Sequence, residues 1–323
     1  MKEFVIKIVV FIAVGCVAYF YLGKGLDHYF IGHPAMNLDH KAGWVFDQNN
    51  RSLDYLVVGS SRAFNVVDIN TIDSKLGTTG VNLGSGGAGF AQCYVLLEQY
   101  LRKNETKNVL LSLDYHSFHS KTSYSYPFAD WAFSPIMDDD SVDMVFKDEV
   151  PLHKYLLWKY VKASKYMEFN DKYALYKNVF EGASKPPLFI GFDKTKGTSL
   201  LYPDDDTTKL FLNSAKAHTS LNPDVDDLKY FNKIVDLCST KNIKLSAYIA
   251  PYRIELYDLR GYEKIHQEIK QLCLKHRISY YDFSNCRLSY QAELFKDHTH
   301  LFAEGAILFS KLLADTLSNQ LKK

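Results

Sequence analysis

The stretch Asp54-Tyr-Leu-Val-Val-Gly-Ser-Ser-Arg-Ala-Phe-Asn65 decides the fold. It opens as a short apolar run, Leu56-Val57-Val58, rich in β-branched residues, which reads as a strand buried on both faces. The run stops at Gly59, and two serines follow. A glycine closing a buried strand lets the chain turn sharply and lifts the next side chains onto the carboxyl edge of a sheet, where open α/β sheets bind ligands. A serine there is exposed, sits at a turn and has a backbone N–H to offer, as a nucleophile requires. The same dipeptide serves equally well as a helix cap. Both readings of Ser60 and Ser61 are open at this point.

Working outward, a strand–helix rhythm surrounds this turn. A helix is expected over Val66–Leu76, a strand over Gly80–Gly84, a helix over Ala91–Leu101 and a third strand over Val109–Leu113. Later come a helix over Asp227–Lys241, strands at Lys244–Ile249 and Ser279–Phe283, and helices over Tyr262–His276 and Ala303–Leu321. Alternation of this kind predicts an α/β domain with a parallel sheet and crossover helices. It is interrupted by an aromatic, charge-mixed insertion, about 117–226, with helices expected around Leu152–Phe180. Such an insertion leaves the carboxyl edge of the third strand, the place for a lid or substrate platform. The acidic runs Asp138-Asp139-Asp140 and Asp204-Asp205-Asp206 read as solvated loops rather than calcium sites.

The first residues have a different character. Phe4 to Leu22 is apolar except for Lys7, and as a helix matches a hydrocarbon core of about 30 Å. Lys2 and Lys7 mark one interface, and Tyr19, Phe20 and Tyr21 the other. The expectation is an uncleaved membrane anchor over 1–24, a connector over 25–51 and the α/β domain over 52–323, with the amino terminus in the cytoplasm and the body outside. A cleaved signal would want a shorter apolar core and a small-residue cleavage site. Lipidation at Cys16 would want a leucine three residues upstream, where Ala13 stands.

The whole chain excludes several classes. Its 323 residues carry a formal charge of +1, so nothing argues for a nucleic-acid surface. The cysteines, Cys16, Cys93, Cys238, Cys273 and Cys286, form no Cys-x-x-Cys pair, so a structural zinc site is not expected. Aromatic residues make up 15% of the chain, fitting a surface that meets sugars, lipids or proteins, though they pack ordinary cores as well.

The chemistry gathers in three places. Asp297 and His300, three residues apart just before the last helix, can share one side of a turn. A carboxylate beside an imidazole sets its tautomer and stabilises the imidazolium formed when it takes a proton. This pair follows the fifth strand, so it should rise at the same sheet edge as Ser61, giving a serine–histidine–aspartate set suited to acyl transfer. The tetrahedral intermediate needs preorganised donors. The N–H of Ser61 is one, and Gly87, in the glycine-rich turn Ser85–Gly89, is another. That turn lacks the spacing and lysine of a phosphate-binding loop. Metal binding by Asp297, His298 and His300, with His116 or His119, is the rival, and it leaves the serine turn without a role. Arg253, after the fourth strand, could clamp an anionic substrate or form a surface ion pair. Trp131 could stack on a sugar or pack in a core.

These blocks, in this order, resemble the SGNH (GDSL-like) hydrolase superfamily. Gly59-Ser60-Ser61 matches its Gly-Asp-Ser block with Ser61 at the nucleophile, Gly87 its second-block glycine, and Asp297 to His300 its terminal Asp-x-x-His. The resemblance covers roughly Asp54 to His116 and the last hundred residues. It implies a three-layer, flavodoxin-like, five-stranded parallel sheet. The family's third-block asparagine is missing: the strand ends Leu113-Asp114-Tyr115-His116, and His116 falls near the place of that oxyanion donor. Ser60 in place of the family's aspartate, with Arg62 behind, is similar to the membrane-anchored branch that includes the D-alanyl lipoteichoic acid transfer protein and exopolysaccharide O-acetylation proteins. That likeness implies O-acyl chemistry on a cell-surface polysaccharide or cell-wall polymer, no cofactor, and a membrane-bound O-acyltransferase as partner. Two further readings remain: a non-catalytic glycan-binding or assembly subunit on the same fold, and a simple secreted lipase, against which the tether and the lack of a Gly-x-Ser-x-Gly elbow speak.

Overall fold

A computed structural model of the chain describes residues 2–32, 44–46, 48–119, 133–167 and 220–321. The chain divides into two compact units, one of Met1–Asp47 with Phe128–Leu188, the other of Gln48–Pro127 with Phe189–Lys323. Trp131 and the run Asp204-Asp205-Asp206 lie outside the described residues.

The larger unit is built on five parallel strands: β1 (Ser52–Val58), β2 (Gly80–Asn82), β3 (Glu105–Ser112), β4 (Lys244–Ile249) and β5 (Ser279–Asp282). Their order is β2-β1-β3-β4-β5, with Val57 opposite both Asn82 and Leu110. This is the flavodoxin-like order, and its switch point lies between β1 and β3, where the crossovers leave in opposite directions. Tyr55, Leu56, Val57 and Val58 are all fully buried, as a central parallel strand demands.

Between and after the strands run α2 (Ser61–Phe64), α3 (Ile69–Leu76), α4 (Phe90–Leu101), α7 (Val225–Thr240), α8 (Ile254–Arg260), α9 (Tyr262–Lys275) and α10 (Ala303–Leu321), while α1 (Lys2–Gly32), α5 (Asp140–Glu149) and α6 (Leu152–Tyr160) belong to the smaller unit. On one face α3 and α10 cover Tyr55, Val57, Leu110 and Tyr248. On the other, α4 and α7 meet through Phe90 and Phe231, whose ring centroids are 5.4 Å apart. The expected α/β architecture is the observed one.

Two local expectations change. The helix expected over Val66–Leu76 begins only at Ile69, because the Asp68 side chain accepts from Asn70 N and Thr71 Oγ1 and so caps α3 there. The first residues of the connector expected over 25–51 are helical, since α1 runs unbroken over Lys2–Gly32. Its segment Lys2–His28 is 27 residues long, about 40 Å at 1.5 Å per residue, and apolar enough to cross a bilayer.

The smaller unit holds that helix with α5 (Asp140–Glu149), α6 (Leu152–Tyr160) and a 3-10 segment, Lys162–Met167. Asp138 pairs with Lys162 and Asp139 caps α5, which accounts for this acidic run without a cation.

Phe309 of α10 is fully buried, 5.4 Å from the Phe283 ring and 6.1 Å from Tyr248. Phe309→Ala should lower stability by about 3–5 kcal/mol, read as a lower urea midpoint at unchanged slope.

Candidate active site

The nucleophile turn is shaped by Gly59. Its φ of +151° is a region side chains avoid, and a Cβ there would stand 2.6 Å from Ser112 Cβ. The two serines then divide the roles that the sequence left open. Ser60 is the cap: its Oγ accepts from Arg62 N at 3.2 Å and donates to Asp114 Oδ2 at 2.8 Å. Ser61 is the first residue of α2, half-buried, and its N–H has no acceptor among the described residues.

The histidine arrives on a pinched loop. Phe295 and Leu301 bridge in antiparallel fashion and are buried, and Lys296 N donates to His300 O. Inside the loop, Asp297 Oδ1 accepts from the N–H groups of Thr299 at 2.7 Å and His300 at 2.8 Å. Asp297 Oδ2 lies 2.7 Å from His300 Nδ1, and His300 Nε2 lies 2.8 Å from Ser61 Oγ. The carboxylate selects the imidazole with its proton on Nδ1, leaving Nε2 to accept from the serine hydroxyl. Residues 239 positions apart thus form one hydrogen-bonded relay.

Burial pushes the Asp297 carboxyl up, but the hydrogen bond and charge of His300, with the N–H groups of Thr299 and His300, outweigh it and hold the carboxyl well below its usual range. A carboxylate depressed in the folded state stabilises the fold fully above its unfolded value, about pH 4, and loses that contribution as pH falls toward the lowered one. Denaturant midpoints taken from pH 5 down to pH 3 should therefore fall less steeply in Asp297→Asn than in the wild type.

Arg62, named in the sequence only as a flanking residue, proves to hold the site together. It is buried, and its guanidinium donates from Nη1 to Thr299 O at 2.7 Å and from Nη2 to Ala250 O at 2.6 Å and Pro251 O at 3.2 Å. Its Cζ sits 3.5 Å from the centre of the Tyr252 ring. One side chain thereby ties the serine turn to the end of β4 and to the residue beside His300. Behind Tyr252 stand Tyr262 and His266, their rings stacked at 5.4 Å. His266 also meets Ser284 Oγ at 2.9 Å, and Ser284 N–H meets Asp282. This second serine–histidine–aspartate set is shut from solvent at Ser284 and His266, and backs the stack. No local pattern in the sequence distinguishes Arg62 from a surface arginine, because its partners are backbone carbonyls far along the chain. Arg62→Lys keeps the charge but loses the planar fork. It should lower kcat for a chromogenic acetyl ester by about 10–100-fold with KM little changed, through displacement of His300.

The remaining candidates lie as follows. The glycine-rich turn is tied to the serine turn by Ser85 N to Gly59 O at 3.0 Å. Within it Gly87 has φ +70°, is half-buried, and its N–H takes no acceptor among the described residues. His116 is exposed at the start of a 3-10 turn after β3 and is not hydrogen-bonded to Ser61 or His300. Asp114, two residues before His116, is buried and turned inward, accepting from Ser60 Oγ and from Ser117 N and Oγ. Arg253 is forked onto Glu255 at 3.0 and 3.2 Å, the ion-pair alternative rather than an open clamp. His119 is engaged through both ring nitrogens, with Tyr115 O and Asn222 O. Among the described residues no three metal-type side chains converge. A cavity of about 830 Å³ opens at the opposite, amino edge of the sheet, around Arg51, Asn104 and Lys241, and contains none of these groups.

No family model matches the chain, and no curated protein does. Among solved structures it is similar to a candidate lipolytic protein of the G-D-S-L family from Desulfitobacterium hafniense DCB-2, at 10% identity over 83% of this chain and 100% of that one, with a TM-score of 0.37. It is also similar to a candidate acylhydrolase from Bacteroides fragilis NCTC 9343, at 11% identity over 88% of this chain and 98% of that one, with a TM-score of 0.41. At these scores the likeness adds nothing to the chemistry, which rests on the side-chain geometry above.

Proposed function

We propose that the protein is an SGNH-type serine acyltransferase or esterase, anchored by α1 with its body outside the cytoplasm, acting on O-acyl groups of a cell-surface polysaccharide or cell-wall polymer. The observation that carries this reading is the 2.8 Å contact between Ser61 Oγ and His300 Nε2, with Asp297 on the far nitrogen. Ser61 Oγ attacks the acyl carbonyl while His300 Nε2 takes its proton. The N–H groups of Ser61 and Gly87 receive the developing oxyanion, with His116 as a third donor. The intermediate collapses as the donor's oxygen leaves, protonated by His300. In the second half His300 deprotonates an incoming glycan hydroxyl or water, which attacks the acyl-serine and frees Ser61. The apolar helix supports work at a membrane, where a membrane-bound O-acyltransferase would supply acyl groups. No cofactor enters this scheme.

A second reading, a glycan-binding or assembly subunit without turnover, is favoured by Asp114. At the rim after β3 the buried side chain is an acceptor turned inward, and the family's asparagine donor is missing from the sequence there. Labelling with a fluorophosphonate probe separates the two. The wild type should label and Ser61→Ala should not, with acyl transfer falling at least about 10³-fold in that folded variant. A folded wild-type protein that resists the probe yet binds glycan would establish the second reading.

A further inference from the structure

Helix α6, Leu152-His-Lys-Tyr-Leu-Leu-Trp-Lys-Tyr160, is apolar on two opposite sides. Tyr155 and Trp158 point inward, Trp158 edge-on to Phe146 of α5 at 6.2 Å. At about 100° per residue, Leu152, Leu156 and Tyr160 form a stripe on the outer side, with Leu157 beside it and the exposed His153 between Tyr160 and Leu157 as the one polar residue of that face. These four are 64%, 40%, 72% and 44% exposed, and Val161 continues the patch. A helix in water carries charges on its outer side; one apolar on both sides is buried or lies against lipid.

The position of α6 in its unit says which. The segment Lys162–Met167 follows it directly and packs on α1 just where the apolar run ends. Gly23 allows that approach, since a Cβ there would lie 2.6 Å from Lys162 Cβ and 2.7 Å from Ala163 N. Four residues on, Asp27 pairs with Lys165 at 2.7 Å and bonds the Tyr166 hydroxyl. Tyr160 thus stands two residues from the contact that marks the end of the apolar run on α1.

We propose that α6 is an interfacial helix, with Leu152, Leu156, Leu157 and Tyr160 set into the headgroup and upper acyl region of the leaflet that α1 leaves. The ligand is the lipid surface itself. The proposal rests on the reading of α1 as a membrane span. Side chains of this kind bind an interface by apolar area, with tyrosine at the headgroup level.

The test uses the full-length protein with Cys16→Ser and Cys286→Ser, the two cysteines that are not buried. A single bimane label is placed at Leu156→Cys, Tyr160→Cys or Phe11→Cys. Each protein is reconstituted into vesicles of phosphatidylethanolamine and phosphatidylglycerol, with nitroxide lipids or with aqueous iodide as quencher. Labels at 156 and 160 should lose about half their fluorescence or more to shallow nitroxide lipids and resist iodide, and the label at 11 should be quenched by deep nitroxides. Iodide quenching at 156 and 160 with lipid quenching at 11 overturns the interfacial helix and leaves the anchor standing. Labels at 156 and 160 shielded from both quenchers mean a protein contact on that side, which also overturns it. Absence of lipid quenching at 11 removes the anchor and the interfacial helix together.

Discussion

A buried guanidinium spans the gap between two parts of the chain that have no local reason to meet. Arg62 leaves the turn after β1, passes over the face of Tyr252, and ends on the carbonyls of Ala250, Pro251 and Thr299. A cation withdrawn from water is costly unless its hydrogen bonds are replaced. Here three carbonyl dipoles and an aromatic face replace those of the two Nη atoms, while Nε is buried without a partner among the described residues, and one of the carbonyls, Thr299 O, is in place only when the loop of His300 is seated. The desolvation of one charge therefore enforces the approach of Ser61 to His300, so the fold and the site share a single constraint.

The sheet order makes that constraint possible. At the switch point between β1 and β3 the crossovers diverge and leave the carboxyl ends of both strands uncovered. Ser60 and Asp114 clasp across this gap at 2.8 Å and close its floor. Ser61, one residue further, is left clear of the clasp and available to the imidazole. The neighbouring serines perform different tasks because one faces the sheet and the other faces the rim. The buried carboxylate of Asp114 takes the structural part and so is turned away from any developing negative charge.

Much of this was legible in the sequence. The apolar runs Leu56–Val58 and Val109–Leu113 declared buried parallel strands, and the alternation with helices declared the α/β class. Asp297 and His300 could be paired by spacing, because the contact between them is local. The helix expected from Val66 starts three residues later, at Ile69, since a cap such as Asp68 competes with helical periodicity through a single side chain. The continuation of α1 to Gly32 was also missed, since Asp27 finds Lys165 and Tyr166 only in the folded unit.

The order of strands and helices, the sharp turn at Gly59 and the aspartate–histidine couple follow from the sequence by itself, because each depends on residues a few positions apart. Which serine caps and which faces His300, that Arg62 is buried rather than solvated, and that Asp114 turns inward were decided only by tertiary structure. Each of these depends on a partner more than 50 residues away along the chain. No pattern of neighbouring residues encodes such contacts; the register of the sheet and the exclusion of water from its carboxyl rim do.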